Sequence, residues 1–331
     1  MKRMHDGHDR VIDYLRISIT DHCNLHCRYC IPFDGRKKLH MGDILSYEEI
    51  FAIARAATRC GVTKVRLTGG EPLLRKNMLQ LCRMLSSLPR ISDLSVTTNG
   101  VLLEAMAADL KAAGVNRINV SLDTLDRERY RQITGSDNLN RVLDGIEQAA
   151  AAGLSPIKIN MVPMRGVNDD EIISLARWTR KAPLDIRFIE LMPTSGWARE
   201  QHDQLFIPMA EIRRRVESLG PLEMLPQIKT RGPAVYARLS ASQGRVGFIA
   251  ALSHHFCSTC NRLRLTCDGK LRVCLFAEEE IDIKTPLRQG AAESELAQII
   301  QTATAAKPKQ HDLNSSGTRP VAGRVMRAIG G

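Results

Sequence analysis

Aromatic residues are scarce in this sequence: Phe, Trp and Tyr make up only 4% of its 331 residues. Proteins that bind single-stranded nucleic acids stack the bases on aromatic side chains, and this chain has little material for such a surface. The net charge is nevertheless +11, from 47 basic and 36 acidic residues, and no long Lys/Arg block is present. We therefore predict that the positive charge binds a phosphorylated small molecule, rather than a nucleic acid or an anionic membrane surface.

The sequence also lacks any apolar run of the ~18 residues needed to span a membrane. Its first ten residues are polar, and no secretory signal is visible. The nine cysteines are unevenly placed, three near the N-terminus and four between residues 257 and 274. Such clusters indicate metal ligands rather than a disulfide framework, so we expect a reducing, cytoplasmic compartment.

The first cluster is a C-x3-C-x2-C motif that directly follows a β-like segment, Tyr14–Thr20. Three thiolates can hold a [4Fe–4S] cluster and leave its fourth iron open to a small molecule. A zinc site is the main alternative, although zinc favours four ligands in paired C-x2-C units. The predicted ligands are Cys23, Cys27 and Cys30.

The second cluster has the spacing C-x2-C-x13-C and again supplies three thiolates, from Cys257, Cys260 and Cys274. We predict a second [4Fe–4S] cluster here, by the same reasoning. A zinc site remains the alternative at this position. The residues that could complete such a zinc site are His254, His255 and Cys267.

The residues after Cys260 predict a strand, 261–267, whose side chains alternate between two faces. Arg262 and Arg264 then share one face and form an anion site, because guanidinium groups bind phosphate bidentately. Cys267 lies on the other face and is predicted to be a buried thiol. Three arginines on earlier strands could join the anion site if they point inward: Arg16, Arg66 and Arg187.

Six strand-like segments alternate with helical segments between Tyr14 and Leu191. This alternation predicts a parallel sheet with covering helices. Six units in about 190 residues fall short of a complete (β/α)8 barrel, so we predict an α/β fold with an incomplete, open (β/α)6-type TIM barrel. We place this barrel in residues 1–207, and in residues 208–331 a smaller β-rich region that carries the second cluster and a terminal Gly-Gly.

Short motifs follow the predicted strands at one end, where barrel enzymes collect their functional residues. Each motif alone is typical of a turn, but their recurrence at the same strand ends indicates a ligand site. In Gly69-Gly70-Glu71-Pro72, the glycines are expected to leave backbone N–H groups open to a ligand. The other motifs are TTNG (97–100), SLDT (121–124) and ELMP (190–193).

These motifs together resemble the radical S-adenosylmethionine (SAM) superfamily. With RFIELMP, C-x2-C-N-R-L-R-x9-C and the terminal Gly-Gly, they resemble in particular its GTP 3′,8-cyclase family, which performs the first step of molybdenum-cofactor biosynthesis. The resemblance runs from Arg16 to Gly331. It implies that SAM binds the first cluster and is cleaved to a 5′-deoxyadenosyl radical. It also implies that GTP binds at the second cluster, loses a hydrogen atom from C3′ and cyclises through C8 of guanine.

The resemblance also implies roles for individual residues. The SAM-contacting positions are Tyr29, Gly70, Ser121 and Met192. The GTP-contacting positions are Arg16, Arg66, Thr97, Lys158, Arg262 and Arg264. The residues implied in catalysis are Arg262, Arg264, Gly330 and Gly331. The sequence departs from the expected pattern at Cys267, where a small apolar residue is expected.

Several partners follow from the resemblance: a low-potential electron donor of the flavodoxin or ferredoxin type, and a downstream cyclic pyranopterin monophosphate synthase. A homodimer is a possible assembly, and neither nucleic acid nor membrane is expected. Two other interpretations stay open from the residues alone. One is a different radical SAM enzyme with an auxiliary cluster, for example one that modifies a peptide. The other is a zinc-stabilised nucleic-acid-binding protein.

Overall fold

The computed structural model describes residues 3–30, 39–226, 232–311 and 326–329. The strands are, in chain order, β1 Tyr14–Ser18, β2 Lys64–Thr68, β3 Asp93–Thr98, β4 Arg117–Ser121, β5 Ile157–Met161, β6 Leu184–Ile189, β7 Leu222–Met224, β8 Val235–Leu239, β9 Arg245–Ile249, β10 Arg262–Leu265, β11 Lys270–Arg272 and β12 Ile281–Asp282. The helices are α1 Tyr47–Arg59, α2 Met78–Ser86, α3 Leu103–Ala112, α4 Arg127–Thr134, α5 Leu139–Ala151, α6 Ile172–Lys181, α7 Gly196–Glu200, α8 His202–Leu205, α9 Met209–Glu217, α10 Lys284–Arg288, α11 Glu293–Ala305 and α12 Met326–Ile329.

All of these strands belong to one sheet, in the order β12-β11-β10-β1-β2-β3-β4-β5-β6-β9-β8-β7. The eight central strands, from β10 to β9, run parallel. The outer strands at both edges pair antiparallel. The mixed α/β architecture with a large parallel sheet confirms the predicted fold class.

The structure places the C-terminal strands, whose position in the sheet the sequence analysis left open. The six predicted β/α units supply β1 to β6, but β10 adds in parallel beside β1 and β9 beside β6. The C-terminal β-rich stretch therefore extends both edges of the same sheet. The division of the chain after residue 207 stays a prediction.

The parallel strands bury their apolar side chains against the helices and turn their polar side chains to the opposite face. On β2, for example, Val65 and Leu67 are fully buried in the core, whereas Lys64, Arg66 and Thr68 face a cavity. Each fully buried aliphatic side chain contributes about 1.5–3 kcal/mol. The core thus forms between sheet and helices, and the inner face is left for binding.

The helices form where apolar residues recur at helical spacing. Ser46 begins α1 with a reciprocal capping box to Glu49. The sequence analysis missed α4, a short and strongly charged helix. Among the helices that the structure describes, none is long and apolar enough to serve as a transmembrane segment.

Candidate active site

The eight parallel strands curl around one cavity of about 720 Å³, and inward side chains of all eight line it. Because the strands are parallel, one end of the cavity is formed by their carboxyl ends and the other by their amino ends. We call these the carboxyl end and the amino end of the cavity.

The first cysteine site, Cys23, Cys27 and Cys30, lies in the loop after β1 and lines the carboxyl end. All three residues are half-buried. Burial raises the pKa of Cys27 well above its ordinary value, and the neighbouring Cys30, Asp123 and Cys23 raise it further. The three sulfurs are thus close enough to repel one another as thiolates, which a bound cation would relieve.

Main-chain hydrogen bonds hold this loop in place. The N–H of His26 donates to the carbonyl of Thr134 (2.8 Å), and the N–H of Arg28 donates to Ile133 (3.2 Å), both at the end of α4. The side chain of Asn99, from the TTNG motif, donates to the sulfur of Cys23 at 3.8 Å. The helix that the sequence analysis missed therefore supports the first cysteine site.

The two glycines after β2 pack directly against the cysteine loop. A Cβ atom on Gly70 would lie 2.2 Å from the carbonyl oxygen of His22, and one on Gly69 would lie 2.4 Å from that of Thr20. The N–H of Gly70 donates to Thr20 (2.7 Å), and the N–H of Glu71 donates to His22 (2.7 Å). The expectation of an open N–H is therefore wrong for Gly70. The glycines are required because the two backbones touch, although Gly70 still lines the cavity.

Tyr29, Ser121 and Met192 line the same end of the cavity, as predicted for a common ligand. Asp123 joins them, although the sequence analysis gave it no role. The Tyr29 hydroxyl donates to Asp123 (2.6 Å), and so does the N–H of Val162 (2.8 Å). Burial raises the pKa of Asp123 to about 6 despite these bonds. Its position in the SLDT motif was the only sequence signal for it.

The second cysteine site, Cys257, Cys260 and Cys274, lies at the amino end of the cavity. Two of its residues precede β10, and the third follows β11, which runs antiparallel to β10. All three are half-buried and line the cavity. Because β10 pairs in parallel with β1, the two cysteine sites lie at opposite ends of the same strands. Tyr14–Ser18 alone spans ~13 Å at about 3.3 Å per residue.

Cys267 follows the carboxyl end of β10 and is fully buried, as predicted for a thiol outside the ligand set. His254 and His255 are both exposed. Within the described residues, no three His, Cys, Asp or Glu side chains are placed to hold one metal ion. A four-iron cluster does not require such convergence, since each thiolate binds a different iron.

Three arginines lie side by side in the middle of the cavity. Arg264 pairs in register with Arg16, and Arg16 with Arg66, on three adjacent strands. Each is at most 9% exposed. Burial and the neighbouring arginines hold the pKa of Arg16 well below its ordinary value, and burial lowers that of Arg66 to about 10. We call Arg264, Arg16 and Arg66 the arginine row; such crowded cations favour an anionic ligand.

Further predicted residues surround the arginine row. Lys158 contacts the hydroxyl of Tyr236 (3.1 Å) and lies 3.8 Å from Asp185, yet burial and nearby Arg187 lower its pKa to about 6. The sequence left undecided whether Arg187 points into the cavity; it does, and it donates a hydrogen bond to Asn119 (2.8 Å). The buried hydroxyl of Thr97 has no hydrogen-bond partner among the described residues. Arg262 stacks on Phe256 at 4.9 Å.

Two other arginines of the cavity wall are neutralised by carboxylates. Arg117 binds Asp93 with two hydrogen bonds (2.8 and 2.5 Å), and Arg245 binds Asp185 in the same way. Cations therefore crowd beside cations at the arginine row and also where Lys158 lies near Arg187. Sequence alone did not separate the two groups of arginines.

The comparisons with known proteins agree with this geometry. The chain matches the Radical SAM superfamily over residues 17–179 and Molybdenum Cofactor Synthesis C over residues 184–313. It is 51% identical to the GTP 3′,8-cyclase of Moorella thermoacetica and 49% identical to that of Pelotomaculum thermopropionicum, each over 99% of this chain and 100% of the relative. The chain belongs to the GTP 3′,8-cyclase family of radical SAM enzymes.

The fold is shared more widely. The crystal structure of SuiB from Streptococcus suis bound to S-adenosylmethionine is similar to this cyclase-family chain with a TM-score of 0.59 and 17% identity. The match covers 83% of this chain and 64% of SuiB. At this identity the likeness shows the fold alone.

Membership in the radical SAM superfamily implies a [4Fe–4S] cluster and SAM. The first cysteine site fits this cluster, because three thiols whose thiolate forms would repel one another face one cavity, and an amide donor lies near one sulfur. The tail residues Gly330 and Gly331 lie outside the described residues. The preceding α12 contacts β1, and its Met326 lines the cavity.

Proposed function

We propose that this chain converts GTP to (8S)-3′,8-cyclo-7,8-dihydroguanosine 5′-triphosphate, the first step of molybdenum-cofactor biosynthesis. One observation carries the proposal. A single cavity has one three-cysteine site at each end and a row of buried arginines between them. A nucleotide that must meet two clusters and also neutralise cations fits this arrangement. The full-length relatives named GTP 3′,8-cyclase support the same substrate.

At the carboxyl end, the first cysteine site would hold the SAM-binding cluster. SAM would lie against Tyr29, Gly70, Ser121 and Met192, which line that end together. When bound, SAM and the cluster supply a 5′-deoxyadenosyl radical that removes hydrogen from C3′ of the substrate ribose. Asp123 fixes the tyrosine through its 2.6 Å hydrogen bond, so that the ring orientation does not depend on the ligand.

At the amino end, the second cysteine site would hold a second [4Fe–4S] cluster with an iron open to guanine. Support comes from one of its thiols, Cys260, whereas burial raises the pKa of Cys257. Burial alone would raise the pKa of Cys260, but Arg262 and Lys307 lower it to about 6. A thiol held as thiolate at neutral pH is suited to iron.

Between the two ends, the triphosphate would lie on the arginine row and Lys158, with the Thr97 hydroxyl as a further polar contact. Guanidinium and ammonium groups that crowd one another without ligand gain the most from a polyanion. Arg262 and Arg264 lie closest in sequence to the second cysteine site. We assign them, with the terminal Gly330 and Gly331, to the step that follows hydrogen removal.

The partners are proposed from the same family membership. Reduction of the first cluster calls for a low-potential flavodoxin or ferredoxin. The product would pass to cyclic pyranopterin monophosphate synthase. We place the enzyme in the cytoplasm, with a homodimer as a possible assembly. The structure offers no observation in favour of a peptide substrate or a nucleic acid.

The decisive test is an anaerobic incubation of the reconstituted protein with SAM, dithionite and GTP. We expect both 5′-deoxyadenosine and the cyclised nucleotide by mass spectrometry. In the Arg262→Ala/Arg264→Ala variant, uncoupled SAM cleavage should persist while GTP binding weakens by about 1.5–3 kcal/mol for each lost contact. Lys111→Ala, which removes an exposed lysine bonded to Gly153, is the matched control. Formation of 5′-deoxyadenosine without a new nucleotide in the unsubstituted protein would refute the proposal.

A further inference from the structure

Two buried cations are bonded to the main chain that carries the second cysteine site, and one of them, Lys307, also lines the cavity. Lys307 is 4% exposed and lies in the segment after α11. Arg10 is 8% exposed and lies just before β1. Neither residue belongs to the motifs found in the sequence. Long charged side chains are rarely buried without a structural reason.

Lys307 links the first residue of β10 to the residue that follows β11, next to two of the cysteines. Its ammonium donates to the carbonyl oxygen of Arg262 at 3.1 Å and, through a shorter contact, to that of Val273. Arg262 comes two residues after Cys260, and Val273 directly precedes Cys274. One ammonium group thus fixes the separation of two of the three proposed cluster ligands.

Arg10 joins the third cysteine to the same segment. Its guanidinium donates to the carbonyl of Cys257 (2.7 Å) and to those of Pro308 (2.6 Å) and Lys309 (2.9 Å). It also forms a buried ion pair with Asp6 (2.6 Å). Residues 307–309 are therefore tied, directly or through Arg10, to the main chain at all three cysteines.

Arg10 and Lys307 differ in whether a carboxylate neutralises their charge. Asp6 neutralises Arg10, whereas no carboxylate among the described residues forms an ion pair with Lys307. Burial lowers the pKa of Lys307, whereas the nearby Cys260 and Cys274 act in the opposite direction and favour its charged form. A cation so placed favours the thiolate-bound and reduced, more negative states of a cluster, since net charge and hydrogen bonding set its potential.

We propose that Lys307 is a positioning residue of the second cysteine site, which it holds together with Arg10 and whose reduction potential it raises. The inference rests on the second cluster put forward under the proposed function. It adds a role for residues that contact neither GTP nor SAM in that proposal.

The test isolates the second site. The parent protein carries alanine at all three cysteines of the first cysteine site, so that every bound iron belongs to the second. Lys307→Met removes both charge and hydrogen bonds, and Lys307→Gln keeps an N–H donor without the charge. Lys111→Met is the control, because Lys111 also donates to a main-chain carbonyl (2.7 Å) but lies on the surface.

The readouts are iron and sulfide content, the rate of iron loss to a chelator, and the reduction potential followed by electron paramagnetic resonance. Lys307→Met should lose iron about 10- to 100-fold faster than the parent, as expected when support around metal ligands is removed. Lys307→Gln should lose iron at an intermediate rate. Both variants should have a more negative potential, and the control should match the parent.

The possible outcomes distinguish a failure of the role given to Lys307 from a failure of the second cluster itself. If the parent binds a four-iron cluster and both Lys307 variants match it in iron loss and potential, Lys307 has no such role. If the parent binds no iron and sulfide, the second cluster is refuted and the inference with it. Thermal unfolding of the apo proteins checks folding. Should Lys307→Met not fold, Lys307→Gln decides alone, and a potential equal to the parent's overturns the proposal.

Discussion

Replacing Arg16 by Met should stabilise the nucleotide-free protein and weaken GTP binding at the same time. Arg16 is the middle member of the arginine row, between Arg264 and Arg66 in register. Neighbouring strands lie ~4.8 Å apart. At separations of about 5–8 Å and an effective dielectric constant of ~20, two unit charges repel by roughly 2–3 kcal/mol.

Arg16 has two such neighbours and is only 8% exposed. Met keeps most of the aliphatic stem, so the loss of packing is small. Part of the repulsion is offset by the other contacts of Arg16. We therefore expect the free energy of unfolding to rise by on the order of 1–3 kcal/mol, a stability gained at the expense of function.

The effect on binding has the opposite sign. A lost charge-assisted contact to phosphate costs about 1.5–3 kcal/mol, which corresponds to a GTP affinity roughly 10- to 150-fold lower. Urea denaturation of the apo protein measures the free energy of unfolding, and anaerobic equilibrium binding measures the affinity for GTP. Both are measured at one ionic strength, because screening weakens the repulsion and the binding alike.

Arg117→Met is the matched comparison. Arg117 also lies in the cavity wall, but it binds Asp93 with two hydrogen bonds, and these raise its pKa although burial lowers it. Removing it leaves a carboxylate without its partner and should cost about 1–3 kcal/mol of stability. If Arg16→Met destabilises the apo protein as much as Arg117→Met does, repulsion within the row does not dominate and the reasoning is wrong.

Three further predictions follow. Anaerobic reconstitution should give about eight irons per chain. Alanine at all three cysteines of the first cysteine site should halve the iron content and abolish SAM cleavage. Full iron content in that variant would show that these ligands are misassigned. The pKa of Lys158 is lowered to about 6 from 10.5, so the unfolded state binds more protons between these values and unfolding free energy should rise with pH there. Lys158→Met should remove that part of the slope, and GTP binding at pH 8 should take up a proton only in the unsubstituted protein, as calorimetry in two buffers will report. Deleting Gly330 and Gly331 should preserve iron content and 5′-deoxyadenosine formation but stop formation of the cyclised nucleotide. A normal yield of that nucleotide would show that the tail has no role in the reaction.

The sequence by itself determined the parts whose chemistry is local. Three thiols within eight residues indicated the first cluster site through their spacing, and three thiols around one strand pair led to the prediction of a second. The alternation of strand and helix determined the parallel sheet, because each βα unit must bury its own apolar face. Alternation along β10 likewise separated Arg264 from Cys267, since side-chain direction in a strand follows from period two.

The tertiary structure alone decided what depends on pairing between distant segments. Register between β10, β1 and β2 created the arginine row, from residues near both ends of the chain. The same pairing set the two cysteine sites at opposite ends of one cavity. The contact of Gly70 with the cysteine loop, and the hydrogen bonds of Lys307 to Arg262 and Val273, also depend on such pairing. No local periodicity in the sequence encodes these contacts, because strand register and buried main-chain hydrogen bonds are determined only when the sheet and its core form.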